Sequence, residues 1–209
     1  MGVADRIGEV VLYIARHAEV QKDKEGKMRG LINDPLDAKG ERQAQELAKL
    51  FEGKPLTAIY VDDLKRTRQT AEPVAARNGL KIRFDTELRS WDVGPELEGK
   101  SIESKKDEIK RLKSQPDLIP VGGQSWGEYM QQVRRFFARY WEMGLESGPF
   151  LLVLHGSGIQ IIWDIVGEME LSSAYDQTPL EPAGVAAIYQ ARSGPKVKVL
   201  RGAKATKDE

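Results

Sequence analysis

Val10-Val11-Leu12-Tyr13-Ile14-Ala15 runs directly into Arg16-His17, and Phe150-Leu151-Leu152-Val153-Leu154 runs directly into His155-Gly156. Short apolar runs of this kind, with no polar alternation, read as strands of a parallel sheet covered on both faces. In open α/β sheets, reactive and binding groups collect at the carboxyl ends of such strands. The chain has 2 histidines, and both stand at that position. One such His is explained by a hydrogen bond to a loop; two in equivalent surroundings point to a shared site.

Further strands are expected at Ala58–Val61, Leu80–Phe84, Val185–Tyr189 and Val197–Leu200, beside Glu9–Ala15 and Phe150–Leu154. Helical patterns lie between them. Ala44, Leu47, Ala48 and Phe51 repeat at helical spacing behind a candidate N-cap at Asp37. Leu64 to Asn78 reads as a helix closed by Gly79, with Pro73 expected to kink or interrupt it. Ser125-Trp126-Gly127-Glu128 is a capping box. It opens a helix whose core stripe is Tyr129, Met130, Val133, Phe136, Phe137, Tyr140 and Trp141. A last helix is expected over Ile159 to Val166, ending at Gly167. Strands alternating with helices give an α/β three-layer sandwich: a mainly parallel central sheet with helices on both faces.

Residues 95–123 break this rhythm with Gly99, Pro116, Pro120, Gly122, Gly123 and a charged stretch, Ser101 to Lys113, that shows little apolar face. It reads either as a solvated helix or as a small cap insertion over the strand ends. Residues 203–209 read as a flexible tail. The 209 residues form one domain on this reading.

Composition narrows the function. Lys+Arg and Asp+Glu are both 32, so no broad nucleic-acid or anionic-membrane surface is expected, although a local basic pocket is. With 0 cysteines there are no disulfides, thiol nucleophiles or Cys-based metal sites. No run is long enough for a membrane helix, and Asp5, Arg6 and Glu9 do not suit a signal peptide, so a cytoplasmic protein is expected. A strand ending in Arg-His presents a guanidinium fork and an imidazole, which together suit a phosphoryl group.

The ordered motifs resemble the histidine phosphatase superfamily, the phosphoglycerate-mutase-like fold. Arg16-His17-Ala18-Glu19 matches its Arg-His-Gly-Glu motif with Ala18 for Gly. Asp63-Leu64-Lys65-Arg66-Thr67-Arg68-Gln69-Thr70-Ala71 matches its second-arginine motif, and His155-Gly156 its second histidine. Asp34-Pro35-Leu36 with Gly40 and Gln43-Ala44, the pair Glu98-Gly99, and Gly122-Gly123-Gln124-Ser125 follow in family order.

The resemblance implies that neutral His17 attacks phosphorus to give a phosphohistidine that water hydrolyses. Arg16 and Arg66 would clamp the phosphoryl oxygens while His155 stabilises charge, with no metal and no cofactor. Arg29, Glu19 and Gly156 are expected to border the substrate, Glu19 chiefly as a partner of a pocket residue. Arg68 reads as a surface charge.

Two departures matter. The family's Leu-Arg-Glu-x-x-x-Gly carries an acid that protonates the leaving oxygen, and Leu88-Arg89-Ser90-Trp91-Asp92-Val93-Gly94 has Ser90 there. Asp92 is the first choice to replace it, with Glu87 and Glu96 behind, although Asp92 equally suits a turn cap before Gly94. The mutase branch also carries a Trp-Asn stretch after its opening motif, which Val20-Gln21-Lys22-Asp23-Lys24-Glu25 lacks. The expected activity is a metal-independent phosphomonoester phosphatase acting on a phosphorylated small molecule or phosphoprotein. The competing readings are a phosphoglycerate-mutase-type isomerase, a phosphohistidine phosphatase, and a phosphate-binding module with little turnover. No feature of the sequence sets an oligomeric state.

Overall fold

The structure is a computed structural model and describes residues 7–21, 25–169, 171 and 178–203. Among the described residues, six strands form one sheet. They are β1 (Val10–Arg16), β2 (Ala58–Val61), β3 (Ile82–Phe84), β4 (Phe150–Leu154), β5 (Leu180–Ala191) and β6 (Gly194–Ala203), in the order β3-β2-β4-β1-β5-β6. The pairings among the first four are parallel; β5 and β6 are antiparallel additions at one edge.

One face of the sheet packs Tyr13, Ile59, Val61, Leu151 and Val153 against α1 (Ala38–Phe51) and α2 (Lys65–Asn78). The other packs Leu12, Ile14, Tyr60, Leu152 and Ile188 against α3 (Lys106–Ser114), α4 (Trp126–Ser147) and α5 (Gly156–Ile165). The result is the expected three-layer α/β sandwich. Among the described residues no helix is long and apolar enough to cross a membrane.

Local chemistry sets the helix ends. The Asp37 carboxylate accepts the Gly40 amide at 2.8 Å, and both halves of the Ser125/Glu128 capping box are formed. Gly79 closes α2 with φ of 64°. Pro73, expected to break α2, sits inside an uninterrupted helix. Its neighbours Ala71, Val74 and Ala75 are buried against the sheet, and that packing outweighs the one lost backbone donor.

Other features also differ from expectation. The α3 helix does carry an apolar face, because Ile109 and Leu112 are buried in the main core. The last two strands are longer than their apolar centres suggested. In β6 the charged Lys196, Lys198 and Arg201 alternate with apolar residues at the sheet edge, where a half-solvated strand tolerates them. Ala203 closes β6 rather than opening a tail, and residues 204–209 lie outside the described residues.

The start of α1 grips the chain just beyond His17. The Asp37 amide donates to the Glu19 carbonyl at 3.1 Å, and the Glu19 amide donates to Gln43 Oε1 at 2.9 Å. A Cβ on Gly40 would lie 2.0 Å from the Glu19 carbonyl oxygen, so close approach rather than backbone freedom requires glycine there.

Candidate active site

The register of three neighbouring strands assembles the centre of the site. Arg16 of β1 lies opposite Leu154 of β4, and Val61 of β2 lies opposite Val153. The residues that follow these strand ends are therefore brought side by side: His17 after β1, His155 after β4 and Asp62 after β2. The His17 amide donates to the Leu154 carbonyl at 2.9 Å, and the two imidazole centroids are 5.3 Å apart.

His17 is fully buried. Its Nδ1 is 2.8 Å from the Ala18 carbonyl, which can only accept, and its Nε2 is 3.2 Å from Arg29 Nη2, which can only donate. These partners assign the proton to Nδ1 and the lone pair to Nε2. Burial lowers the His17 pKa well below the usual histidine value, and the Arg29, Arg66, His155 and Arg16 charges lower it further. A neutral imidazole with its Nε2 lone pair facing arginines has the character of a nucleophile for an anionic phosphoryl group.

Ala18 fits where the family motif has Gly. It is fully buried, clusters with Val20, Leu36, Ala44 and Ala183, and does not adopt positive φ. Its amide donates to Thr70 Oγ1 at 2.9 Å, tying the loop to α2. Ala183, whose amide donates to the His17 carbonyl at 3.2 Å, is the one non-glycine residue with positive φ (57°) among the described residues.

Arg66 is buried and held by three hydrogen bonds. Its Nη1 donates to the Ile32 carbonyl at 2.6 Å, its Nη2 to the Gly30 carbonyl at 2.9 Å, and its Nε to His155 Nδ1 at 3.2 Å. His155 Nε2 in turn lies 2.5 Å from Asp62 Oδ2. His155 therefore carries its proton on Nε2, the opposite tautomer to His17. Burial drives the His155 pKa down to about 4 against the pull of the Asp62 carboxylate, with Arg66 and Arg29 adding to the downward push. Burial alone would raise the Asp62 carboxyl, but His155, Thr67 and the Leu64 amide hold it below its usual value.

Sequence reasoning did not single out Asp62. The signal was available: Asp62 is the first residue after an apolar strand, the position His155 occupies after its own.

A cavity of about 470 Å³ opens over this centre, lined by Arg16, Lys27, Arg29, Lys39, Arg66 and Lys113. Glu19 is the only carboxylate among its described lining residues, and it pairs with Lys39 at 2.7 Å, in keeping with a supporting role. His155 and Gly156 also line it; Gly156 begins α5, so the positive end of that helix faces the cavity. Arg16 Nη1 donates to the Leu180 carbonyl at 3.0 Å, fixing its fork at the rim. Arg68 points elsewhere and pairs with Glu72 at 3.2 Å, as a surface charge.

The proposed substitutes for the missing acid are not brought to this cavity. Asp92 accepts the Gly94 amide at 3.0 Å, capping a turn, and borders a neighbouring groove of about 620 Å³. Glu87 borders that same groove and pairs with Arg139 at 2.8 Å; Glu96 lines a smaller surface pocket. Ser90 borders both the groove and the cavity. The position itself faces the site, but Ser has no carboxylate to offer.

Replacing Arg29 with Ala is expected to raise the His17 pKa towards the ordinary value, by removing a neighbouring cation and admitting water. KM should rise roughly 10–100-fold, the usual cost of a lost charge-assisted hydrogen bond. Histidine NMR titration and steady-state kinetics check both; an unmoved His17 titration would show that Arg29 does not act on His17.

Comparison with known proteins agrees with this geometry. The chain is 36% identical over 150 residues to "Probable phosphoglycerate mutase GpmB" of Salmonella paratyphi A, covering 69% of each chain. Among solved structures it resembles TTHB049 from Thermus thermophilus, with 28% identity, TM-score 0.69, and coverage of 92% of this chain and 99% of that one. It shares the fold of Mycobacterial hydrolase 1, at 22% identity and TM-score 0.75, over 92% of this chain and 98% of that one. A family model for branch 1 of the histidine phosphatase superfamily matches residues 12–202, from the β1 strand to the last described residues of the sheet. Motif order, fold and site geometry agree with that match: the chain belongs to branch 1 of the histidine phosphatase superfamily.

Proposed function

We propose that the protein is a metal-independent phosphomonoester phosphatase that works through a phosphohistidine at His17. The observation that carries this reading is the buried, neutral His17, with Nδ1 bound to a carbonyl and Nε2 directed at arginine. On this reading a phosphoryl group displaces the Arg29 contact. Its oxygens are held by Arg16, Arg29 and Arg66, and Nε2 attacks phosphorus in line with the leaving oxygen. Water then hydrolyses the N–P bond and releases phosphate. Residues 95–123 act as a cap, because they supply Ile102 and Lys113 to the cavity wall and pair with the 27–31 loop through Lys27 and Ser101.

A mutase-type isomerase is the second reading. It is favoured by the name of the Salmonella relative and by Lys27, Lys39 and Lys113, which would suit a substrate with a second anionic group.

The test is a panel of phosphorylated metabolites and phosphopeptides, assayed for released phosphate with EDTA present. Turnover unaffected by EDTA is the expected result. Binding without turnover would defeat the phosphatase reading. Interconversion of 2- and 3-phosphoglycerate without phosphate release would favour the mutase.

A further inference from the structure

A phosphatase of this kind must protonate its leaving oxygen, and Ser90 leaves the usual position without an acid. Asp92, Glu87 and Glu96 are engaged elsewhere, and Glu19 is paired with Lys39. Among the described residues at the cavity, the proton carrier set beside His17, with ring centroids 5.3 Å apart, is His155, and behind it lies a fully buried carboxylate that the reaction outlined above does not use. Asp62 is fixed from three sides: by the Leu64 amide at 3.1 Å, by the Thr67 hydroxyl, and by His155 Nε2 at 2.5 Å.

We propose that Asp62 is a positioning residue that makes His155 the proton carrier for the leaving oxygen. This rests on the phosphatase reading above. The carboxylate takes the Nε2 proton as its hydrogen-bond partner, so ring orientation and tautomer are set and Nδ1 is turned to the Arg66 side of the cavity.

When a phosphomonoester enters as its monoanion, Arg66 Nε turns to a phosphoryl oxygen and Nδ1 takes the substrate proton, giving an imidazolium between Asp62 and the dianion. His17 Nε2 then forms the N–P bond while the P–O bond breaks, and the electron pair leaving with oxygen takes the Nδ1 proton. In the second half, Nδ1 takes a proton from water as its oxygen attacks phosphorus. Phosphate takes the Nδ1 proton as it departs as the monoanion, so His155 returns to its neutral form and His17 regains its lone pair.

The charged and titratable groups around His155 are Asp62 after β2, Arg66 on α2, Arg29 on its loop and His17 after β1. Tyr129 of α4, bonded to Ser157 at 3.1 Å, stays protonated because burial raises its pKa. Arg66 and Arg29 oppose the imidazolium. The phosphoryl dianion offsets them, so His155 becomes a proton carrier only with substrate in place.

The experiment uses the full chain and Asp62→Asn, which keeps an acceptor for the Leu64 amide and the Thr67 hydroxyl. For alkyl phosphates kcat should fall roughly 10²–10³-fold, the range of general acid catalysis. For p-nitrophenyl phosphate, whose leaving group needs no proton, it should change by less than about 10-fold. Equal losses on both substrates, or no loss on either, overturn the proposal.

With only 2 histidines in the chain, ¹⁵N-histidine NMR reads the ring directly and needs no turnover. His155 should carry its proton on Nε2. With inorganic phosphate bound it should titrate about one pH unit or more higher in the wild type than in Asp62→Asn. An Nδ1-protonated His155, or identical titrations, overturns the dyad even if the phosphatase reading stands. Absence of turnover in the wild type would defeat that reading while leaving the NMR result decisive for the dyad. Should Asp62→Asn fail to fold, Asp62→Ser, whose hydroxyl can still accept from the Leu64 amide, carries the same kinetic test and should show the same alkyl-selective loss.

Discussion

His17→Ala is expected to abolish turnover while leaving the fold in place. Removing a catalytic nucleophile from a comparable covalent mechanism costs up to about 10⁶ in kcat, and a loss of roughly 10⁴ or more is expected here. His155 is not expected to substitute, because its Nε2 is committed to Asp62 and its Nδ1 is assigned to carrying the proton of the leaving oxygen. The fold should persist because what anchors position 17 is backbone: its amide donates to the Leu154 carbonyl and its carbonyl accepts from the Ala183 amide. Circular dichroism should therefore match the wild type while phosphate release falls to background. A variant that folds and retains more than about 1% of activity would remove His17 from the nucleophile's role.

Arg66→Ala has the next largest effect, and it acts on two levels. Loss of a preorganised cation at the phosphoryl oxygens should cost roughly 10²–10³ in kcat/KM. Stability should also drop, because the guanidinium bonds the Ile32 and Gly30 carbonyls that shape the Arg29 loop. Leaving such groups unsatisfied costs about 1–3 kcal/mol each. Arg66→Lys should recover little, since one ammonium cannot reach both carbonyls and His155 in the geometry of a planar fork. A thermal melt and a kcat/KM measurement on both variants check this. A lysine variant with near wild-type activity would mean that charge alone, not the fork, is what matters at this position.

The sheet was legible because its central strands are buried on both faces and are therefore uninterrupted apolar runs: β2 and β4 coincide with Ala58–Val61 and Phe150–Leu154 to the residue. The edge strands β5 and β6 were legible only at their centres, since half-solvated backbone accepts Lys and Arg without a sequence signature of its own. Pro73 misled for a related reason. Local propensity speaks for one residue, whereas the helix is held by the buried stripe around it.

At the site, the strand ends announced His17 and His155, and the resemblance to the family's second-arginine motif pointed to Arg66. Which groups meet across the sheet depends on strand order and register, and neither can be read from one chain's spacing. That is why Asp62 was not singled out, although the β2-β4-β1 order sets it beside His155. Asp92 erred in the opposite sense. It is near Ser90 in sequence, but a turn at Gly94 points its carboxylate at a backbone amide instead of the cavity.

The most direct measurement is to trap the covalent intermediate. Wild-type protein mixed with a ³²P-labelled aryl phosphate and quenched within a turnover should carry acid-labile, base-stable label on the peptide containing His17. The phosphorus should be on Nε2, the nitrogen whose lone pair faces Arg29. His17→Ala should carry none. Label on His155, or turnover at wild-type rate in His17→Ala, would contradict a phosphohistidine mechanism at this position.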